Sequence, residues 1–373
     1  MDCGDRARDY WWVLRVVAGV LVAASLALPT QTVAARPPSV LRQLAAQLVA
    51  DGAPGALAVV RTPAGMRGAA TGLASREEKL RLRLGDRFRI ASITKTFVAT
   101  VVLQLVAEGR LRLDDTVEHW LPELVPNGDA ITLRELLNHT SGLFDYSDSA
   151  DFSQAVISDV GRSWAPRELI AFATAHAPLF VPGTGWSYSN TDYVVLGLVV
   201  EAATGESLEQ QLRMRLFQPL GLASTSFPSA AAIDGPHVHG YIGSATVPLA
   251  PGTLLDLAGL SPTGSWAAGG MVSNGADVTR FYATLLGGRL LPAPLNAAMK
   301  TLAPRSSFGL GLQRVLTHCG PAFGHEGDFP GYRSIVYGRP DGRRVALVMV
   351  NIDATHVPWD VLRAVAADAF CAG

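Results

Sequence analysis

From Ile93 to Val106 the chain reads Ile-Thr-Lys-Thr-Phe-Val-Ala-Thr-Val-Val-Leu-Gln-Leu-Val, apolar on nearly every side of a helix. A helix with no wet face has to be buried, so the rest of the chain must wrap around this one. The spacing predicts a helix that begins near Ser92 and stops at Gly109, a residue suited to a helix C-terminus. Ser92 and Lys95 are three residues apart and share one face. A serine hydroxyl attacks well only when a neighbour takes its proton. A lysine amine can do so when neutral, a state that burial or a nearby cation favours. The helix N-terminus also favours negative charge that develops there. Of 31 basic residues only Lys79, Lys95 and Lys300 are lysines. Arginine keeps its proton in proteins whereas lysine can lose it, so a rare lysine at this spot fits proton transfer. On the pair alone a blander reading stays open, with Ser92 as a helix cap and Lys95 on the surface.

The 373 residues suffice for one large or two modest domains, and 49% hydrophobic against 17% charged residues marks a globular chain. A net charge of −1 with no basic cluster argues against nucleic acid. At the N-terminus Arg6, Arg8 and Arg15 precede an apolar run from Val16 to Leu28, then Pro29 and the small residues of Val33-Ala-Ala35. This pattern predicts a signal peptide over residues 1–35 and a secreted or periplasmic protein. Left uncleaved, the segment would be a membrane anchor, although the run is short of the ~20 residues a span needs. Cys319 and Cys371 remain after cleavage, as either a disulfide or two buried thiols.

Residues 40–50 have helical spacing, and Ala56–Arg61 and a second strand toward Leu73 flank the turn Thr62-Pro-Ala-Gly65. Thr132 is a predicted N-cap, and Pro166–His176 and Thr191–Ala203 read as helices. Short strands are expected over Gly309–Leu316, Ala322–His325, Tyr332–Tyr337 and Val345–Asn351, with a turn at Pro340-Asp-Gly342 and a closing helix over Val357–Phe370. The plan is an α/β fold of the α+β type. Segments 40–108 and 255–373 form the sheet part of a domain spanning 36–373, and 109–254 forms a mainly helical insert.

Two further stretches carry chemistry. Pro182-Gly-Thr-Gly-Trp-Ser-Tyr-Ser-Asn190 is a loop entering a helix. Beside an ammonium, Tyr188 could act as general base and then acid, and Asn190 offers amide donors and an acceptor. The alternative is an aromatic turn with Asn190 as a cap. Gly324-His-Glu-Gly-Asp-Phe-Pro-Gly331 contains His325, which is equally readable as a core or turn histidine. The second histidine of a His-Glu-x-x-His zinc motif is replaced by Phe329, and His237-x-His239 lacks a third ligand in sequence. No metal and no cofactor are expected. No Gly-x-Ser-x-Gly elbow is present.

Ser92-x-x-Lys95, Tyr188-Ser-Asn190 and His325-x-Gly327, in that order, resemble the serine β-lactamase and D-alanyl-D-alanine carboxypeptidase family, in its class C-like branch. His139-Thr-Ser-Gly-Leu143, Pro219-Leu-Gly-Leu222 and Ala268-Gly-Gly-Met271 look like further family landmarks, and the likeness covers roughly residues 40 to 370. The resemblance implies an antiparallel sheet flanked by helices, an all-helical domain, and a site in the cleft between them. It implies acyl transfer with Ser92 as nucleophile and Lys95 and Tyr188 moving protons. Backbone N–H groups of Ser92 and Asp328 would form the oxyanion hole. Asn190, His325, Gly327 and Asp328 would bind substrate.

The expected activity is that of an exported serine hydrolase, most like a D-alanyl-D-alanine carboxypeptidase or related peptidase. A β-lactamase, a broad esterase and a non-catalytic penicillin-binding sensor are the alternatives. The partner is a small peptide, ester or β-lactam. One departure stands out. Glu326 occupies the position between His and Gly where such carboxypeptidases often carry threonine. Strand alternation could turn it away from the cleft; facing in, it would repel a carboxylate-bearing substrate. The enzyme would then favour esters, amides or cationic peptides.

Overall fold

The computed structural model describes residues 39–243, 250 and 252–372. The expected signal peptide lies outside the described residues. Eleven strands lie among the described residues, in chain order. They are β1 Gly55–Thr62, β2 Gly65–Ser75, β3 Leu80–Arg81, β4 Phe88–Arg89, β5 Tyr241–Gly243, β6 Leu254–Asp256, β7 Val272–Ser273, β8 Gln313–Thr317, β9 Gly320–Phe329, β10 Tyr332–Gly338 and β11 Val345–Val350. Seven of them form one antiparallel sheet in the order β3-β2-β1-β11-β10-β9-β8. The N- and C-terminal segments thus meet at its centre, where β1 pairs with β11 from Ala56↔Val350 to Arg61↔Val345.

Alternation along the central strands makes two cores. Ala56, Ala58 and Val60 face the helices Val40–Ala50 and Trp359–Cys371. Leu57 and Val59 face the Gly275–Leu286 helix and join the larger core that runs into the helical region. Because β11 is covered on both faces, all six of its residues, Val-Ala-Leu-Val-Met-Val, are buried. Thr132 caps the Leu133–Asn138 helix through a reciprocal bond pair with Glu135.

The apolar helix runs over Thr94–Ala107, with a 3₁₀ turn at Ala91–Ile93 before it. It packs on the Asn190–Thr204 helix and the Trp266–Gly269 turn. The expected boundary after residue 108 groups it with the sheet, but its main neighbours are helical. It ends as expected: Gly109 has φ +71°, and the Arg110 amide reaches back to Leu105 O at 3.0 Å. The pairs β4–β7 and β5–β6 join two or three residues each, too few for a periodic signal in sequence. Cys319 and Cys371 form a disulfide with a Cα–Cα distance of 5.7 Å, which ties the β8–β9 hairpin to the C-terminal helix.

Candidate active site

Ser92 sits in a backbone kink. Ala91 before it has φ +50°, a left-handed conformation that costs a residue with a Cβ of order 1 kcal/mol. Two bonds hold the kink: Ile90 N–H to Met271 O at 3.1 Å, and Met271 N–H to Thr94 Oγ1 at 3.2 Å. From the other side β9 runs against it. A Cβ at Gly327 would lie 2.4 Å from Ile90 O and 2.8 Å from Ser334 Oγ, so only glycine lets the two backbones approach this closely. Strand β8 pairs with β9 only as far as Gly324, which leaves the backbone edge from His325 onward facing the Ser92 turn.

Lys95 is fully buried, and its Nζ lies 3.0 Å from Ser92 Oγ, 2.7 Å from Asn190 Oδ1 and 2.7 Å from Ala268 O. A neutral amine has two N–H donors and one lone pair. The two carbonyl oxygens can only accept, so they take the two donors, and the lone pair is left for the Ser92 proton. Burial brings the Lys95 pKa down to about 7, while Asp145 and Asp192 act in the opposite direction. Geometry and burial together favour the neutral amine beside Ser92 Oγ.

Tyr188 hydrogen-bonds Ser92 through its hydroxyl. Its ring centroid lies 4.9 Å from Lys95 Nζ, and its ring packs 4.4 Å from that of His139. Burial pushes its pKa far above the usual phenol range, and Asp145 and Asp192 add to the rise. Burial therefore favours the protonated phenol at rest. Asn190 joins Lys95 to Asp145: its Oδ1 accepts from the amine, and its Nδ2 donates to Asp145 Oδ2 at 2.9 Å and to Ser147 Oγ at 3.0 Å.

His325 is buried near Tyr188, the ring centroids 6.2 Å apart. Its Nδ1–H donates to Glu326 O at 2.5 Å, and its Nε2 has no partner among the described residues. Burial, then the nearby Lys95 charge, lowers its pKa to about 3, so the ring is neutral and Nε2 is an acceptor. Glu326 corrects an expectation. Strand alternation turns it away from the cleft, where Arg363 of the C-terminal helix holds it with two 2.7 Å bonds. Its charge therefore does not oppose a carboxylate-bearing substrate in the cleft. The Asp328 side chain shares that outward face, in register with Arg333, so only its backbone lies along the cleft edge.

Four residues that sequence reasoning did not place also adjoin the site. Asp145 accepts from Asn190, Ala268 accepts from Lys95, and His139 and Asp192 form a buried pair behind Tyr188 at 2.9 Å. The His139-Thr-Ser-Gly-Leu143 motif and an acid two residues after Asn190 were the available signals. Separately, Glu77, His239 and Asp256 bring ligand-type atoms within 4.8 Å of one another. These atoms are already engaged, Glu77 by Tyr241 Oη at 2.6 Å and Asp256 by His239 Nδ1 at 2.6 Å. His237 instead bonds Gly235 O.

Comparison with known proteins agrees with this geometry. A family model described as Beta-lactamase matches residues 41–369. Esterase EstB from Burkholderia gladioli is 33% identical over 306 residues, 73% of this chain and 72% of that protein. A D-stereospecific amidohydrolase from Streptomyces sp. superposes with a TM-score of 0.79 at 34% identity, covering 90% of this chain and 100% of that one. A D-amino acid amidase from Ochrobactrum anthropi SV3, solved with L-phenylalanine amide, gives 0.78 at 28% identity over 87% of this chain and 94% of that one. The match across nearly the whole described chain and the arrangement around Ser92 lead to one conclusion: this protein belongs to the beta-lactamase family of serine hydrolases.

Proposed function

We propose that the protein is a serine amidase or esterase that cleaves small amides or esters lacking a carboxylate on the leaving group, through an acyl-enzyme on Ser92. The observation that carries this reading is the 3.0 Å contact of Ser92 Oγ with a lysine whose pKa burial holds near 7. Ser92 Oγ attacks the substrate carbonyl while its proton passes to Lys95. The oxyanion forms between the backbone N–H groups of Ser92 and Asp328. As the C–N or C–O bond breaks, Tyr188 gives its proton to the departing group and the Lys95 ammonium restores it. Water then attacks the ester carbon by the same proton route, releasing the acid and regenerating Ser92.

The substrate class rests on charge. A lysine in the third motif would supply a cation for a substrate carboxylate, but His325 is neutral and offers an acceptor. Asp145 adds negative charge on the Asn190 side of the site. Both features favour neutral or cationic substrates over an acyl-D-alanyl-D-alanine peptide, the substrate first expected from the sequence. The relatives' names, an esterase and two amidohydrolases, agree with this choice. Export is part of the proposal, supported by the Cys319–Cys371 disulfide, since such bonds are rare in a reducing cytosol.

The test is kcat/KM for three substrates: D-phenylalanine amide, a neutral short-chain ester and an acyl-D-alanyl-D-alanine peptide. The amide or the ester should be turned over at least ~10-fold better than the peptide, a difference of about 1.4 kcal/mol in transition-state binding. A peptide turned over faster than both contradicts the proposed substrate class.

A further inference from the structure

Behind Tyr188 lies a polar cluster that the acyl-transfer steps leave unused. His139, Ser141 and Asp192 are 1%, 2% and 0% exposed. The protons in the cluster can be counted. Leu143 N–H donates to Ser141 Oγ at 3.0 Å, so the serine's own proton goes to Asp192 Oδ1 at 2.5 Å. Asp192 Oδ2 lies 2.9 Å from His139 Nδ1. The same ring nitrogen lies 3.3 Å from the Ser189 amide nitrogen. An amide N–H can only donate, so Nδ1 presents its lone pair there. With Nδ1 unprotonated, the proton on its 2.9 Å contact with Oδ2 is the carboxyl's, and the single Nδ1 lone pair is shared between that O–H and the longer 3.3 Å Ser189 N–H. As an anion, Asp192 would be a fully buried charge with no hydrogen bond from lysine or arginine among the described residues.

We propose that His139 and Asp192 form an uncharged pair, a neutral imidazole protonated at Nε2 beside a carboxylic acid, and that this pair positions Tyr188 and leaves Lys95 with one fewer buried counter-anion. The proposal rests on the acyl-transfer reading of Ser92, Lys95 and Tyr188. The His139 ring packs 4.4 Å from the Tyr188 ring, and its Nδ1 tethers the amide of the next residue, Ser189. Both the ring and the backbone of the proton relay are therefore referenced to His139. Ionised, Asp192 would be one of two carboxylates acting on Lys95, Asp145 being the other. The titratable groups that face the pair are Lys95, Asp145, Tyr188, Tyr193 and His325. Burial moves His139 well below its usual range and Asp192 well above, the directions an uncharged pair requires.

Asp192→Asn is the discriminating variant, because an amide reproduces every bond of a carboxylic acid here. Its Nδ2–H would donate to His139 Nδ1, and its Oδ1 would accept from Ser141. The acid limb of the kcat/KM profile should stay in place. Loss of a buried anion near Lys95 would instead move it down by about one unit or more, and that result overturns the proposal. His139→Phe keeps the packing and removes the tether. It should lower kcat by roughly 10- to 100-fold with KM little changed, and His139→Asn should restore part of the loss. Unchanged kcat in His139→Phe would remove the positioning role.

Spectroscopy keeps the two readings separable. In the Ser92→Ala protein, ¹⁵N resonances of His139 should report a neutral ring protonated at Nε2 from about pH 5 to 9. An infrared carboxylic-acid band should be present and should vanish in Asp192→Asn. An imidazolium, or no such band, sinks the uncharged pair. These readouts need no turnover, so failure of Ser92 to acylate would leave them standing and strike the functional reading alone.

Discussion

Lys95 Nζ is enclosed by two carbonyl oxygens and one hydroxyl, with no carboxylate in direct contact among the described residues. That setting makes it a poor cation and a usable base. With its pKa near 7, kcat/KM should rise with pH through about 7 and then level off. Lys95→Arg should lose at least ~1,000-fold in acylation rate although it keeps the charge, because a guanidinium cannot give up its proton. The same shift has a thermodynamic sign. Between about 7 and about 10.4 the unfolded chain binds a proton at this lysine that the folded chain does not, so stability contributed by this group rises with pH across that window. Lys95→Met should lack that part of the slope when urea unfolding is followed against pH. At His325, replacement by lysine should shift preference toward substrates with a carboxylate on the leaving group, read as the kcat/KM ratio of the peptide to the amide. An unchanged ratio would mean the charge at this position does not select the substrate. Ser92, Lys95, Tyr188 and His325 were legible because each belongs to a short motif. Asp145 was not, since an acid in a loop gives no sign of which amide it will meet.

The β9 strand and the 91–93 turn define the site at the scale of elements. Gly327→Ala should push β9 off the turn, since the added methyl meets the Ile90 carbonyl at 2.4 Å. The expected result is a loss of about 1–3 kcal/mol in stability and at least ~10-fold in kcat. Full activity in this variant would mean the strand edge is not part of the oxyanion site. Helices and long strands followed from periodicity: Val40–Ala50 and β1 fall within a residue or two of their expected bounds. The central helix was expected from Ser92 but starts at Thr94, because the left-handed Ala91 forces a 3₁₀ turn that no propensity marks. Alternation along β9 left the direction of Glu326 open in sequence, and only the pairing with Arg363 resolves it.

The larger hydrophobic core runs from one face of the sheet into the helices around Thr94–Ala107, so the first and last thirds of the sequence frame the site jointly. The disulfide closes a loop of 52 residues at the far end of the β8–β9 hairpin. Cys319→Ser with Cys371→Ser should reduce stability by about 2–4 kcal/mol in chemical unfolding, with turnover at moderate temperature unchanged. The antiparallel sheet and the closing helix were readable from late apolar runs and the Pro340-Asp-Gly342 turn. The cross-connections β4–β7 and β5–β6 depend on tertiary pairing alone. What unites these scales is the claim that one serine is acylated with a buried lysine as its base. Intact-mass spectrometry after brief exposure to a fluorophosphonate, with peptide mapping across pH, tests it most directly. One adduct on Ser92, forming faster as pH rises through about 7 and absent in Ser92→Ala and Lys95→Met, is the predicted result. An adduct on another residue, or undiminished labelling in Lys95→Met, would contradict it.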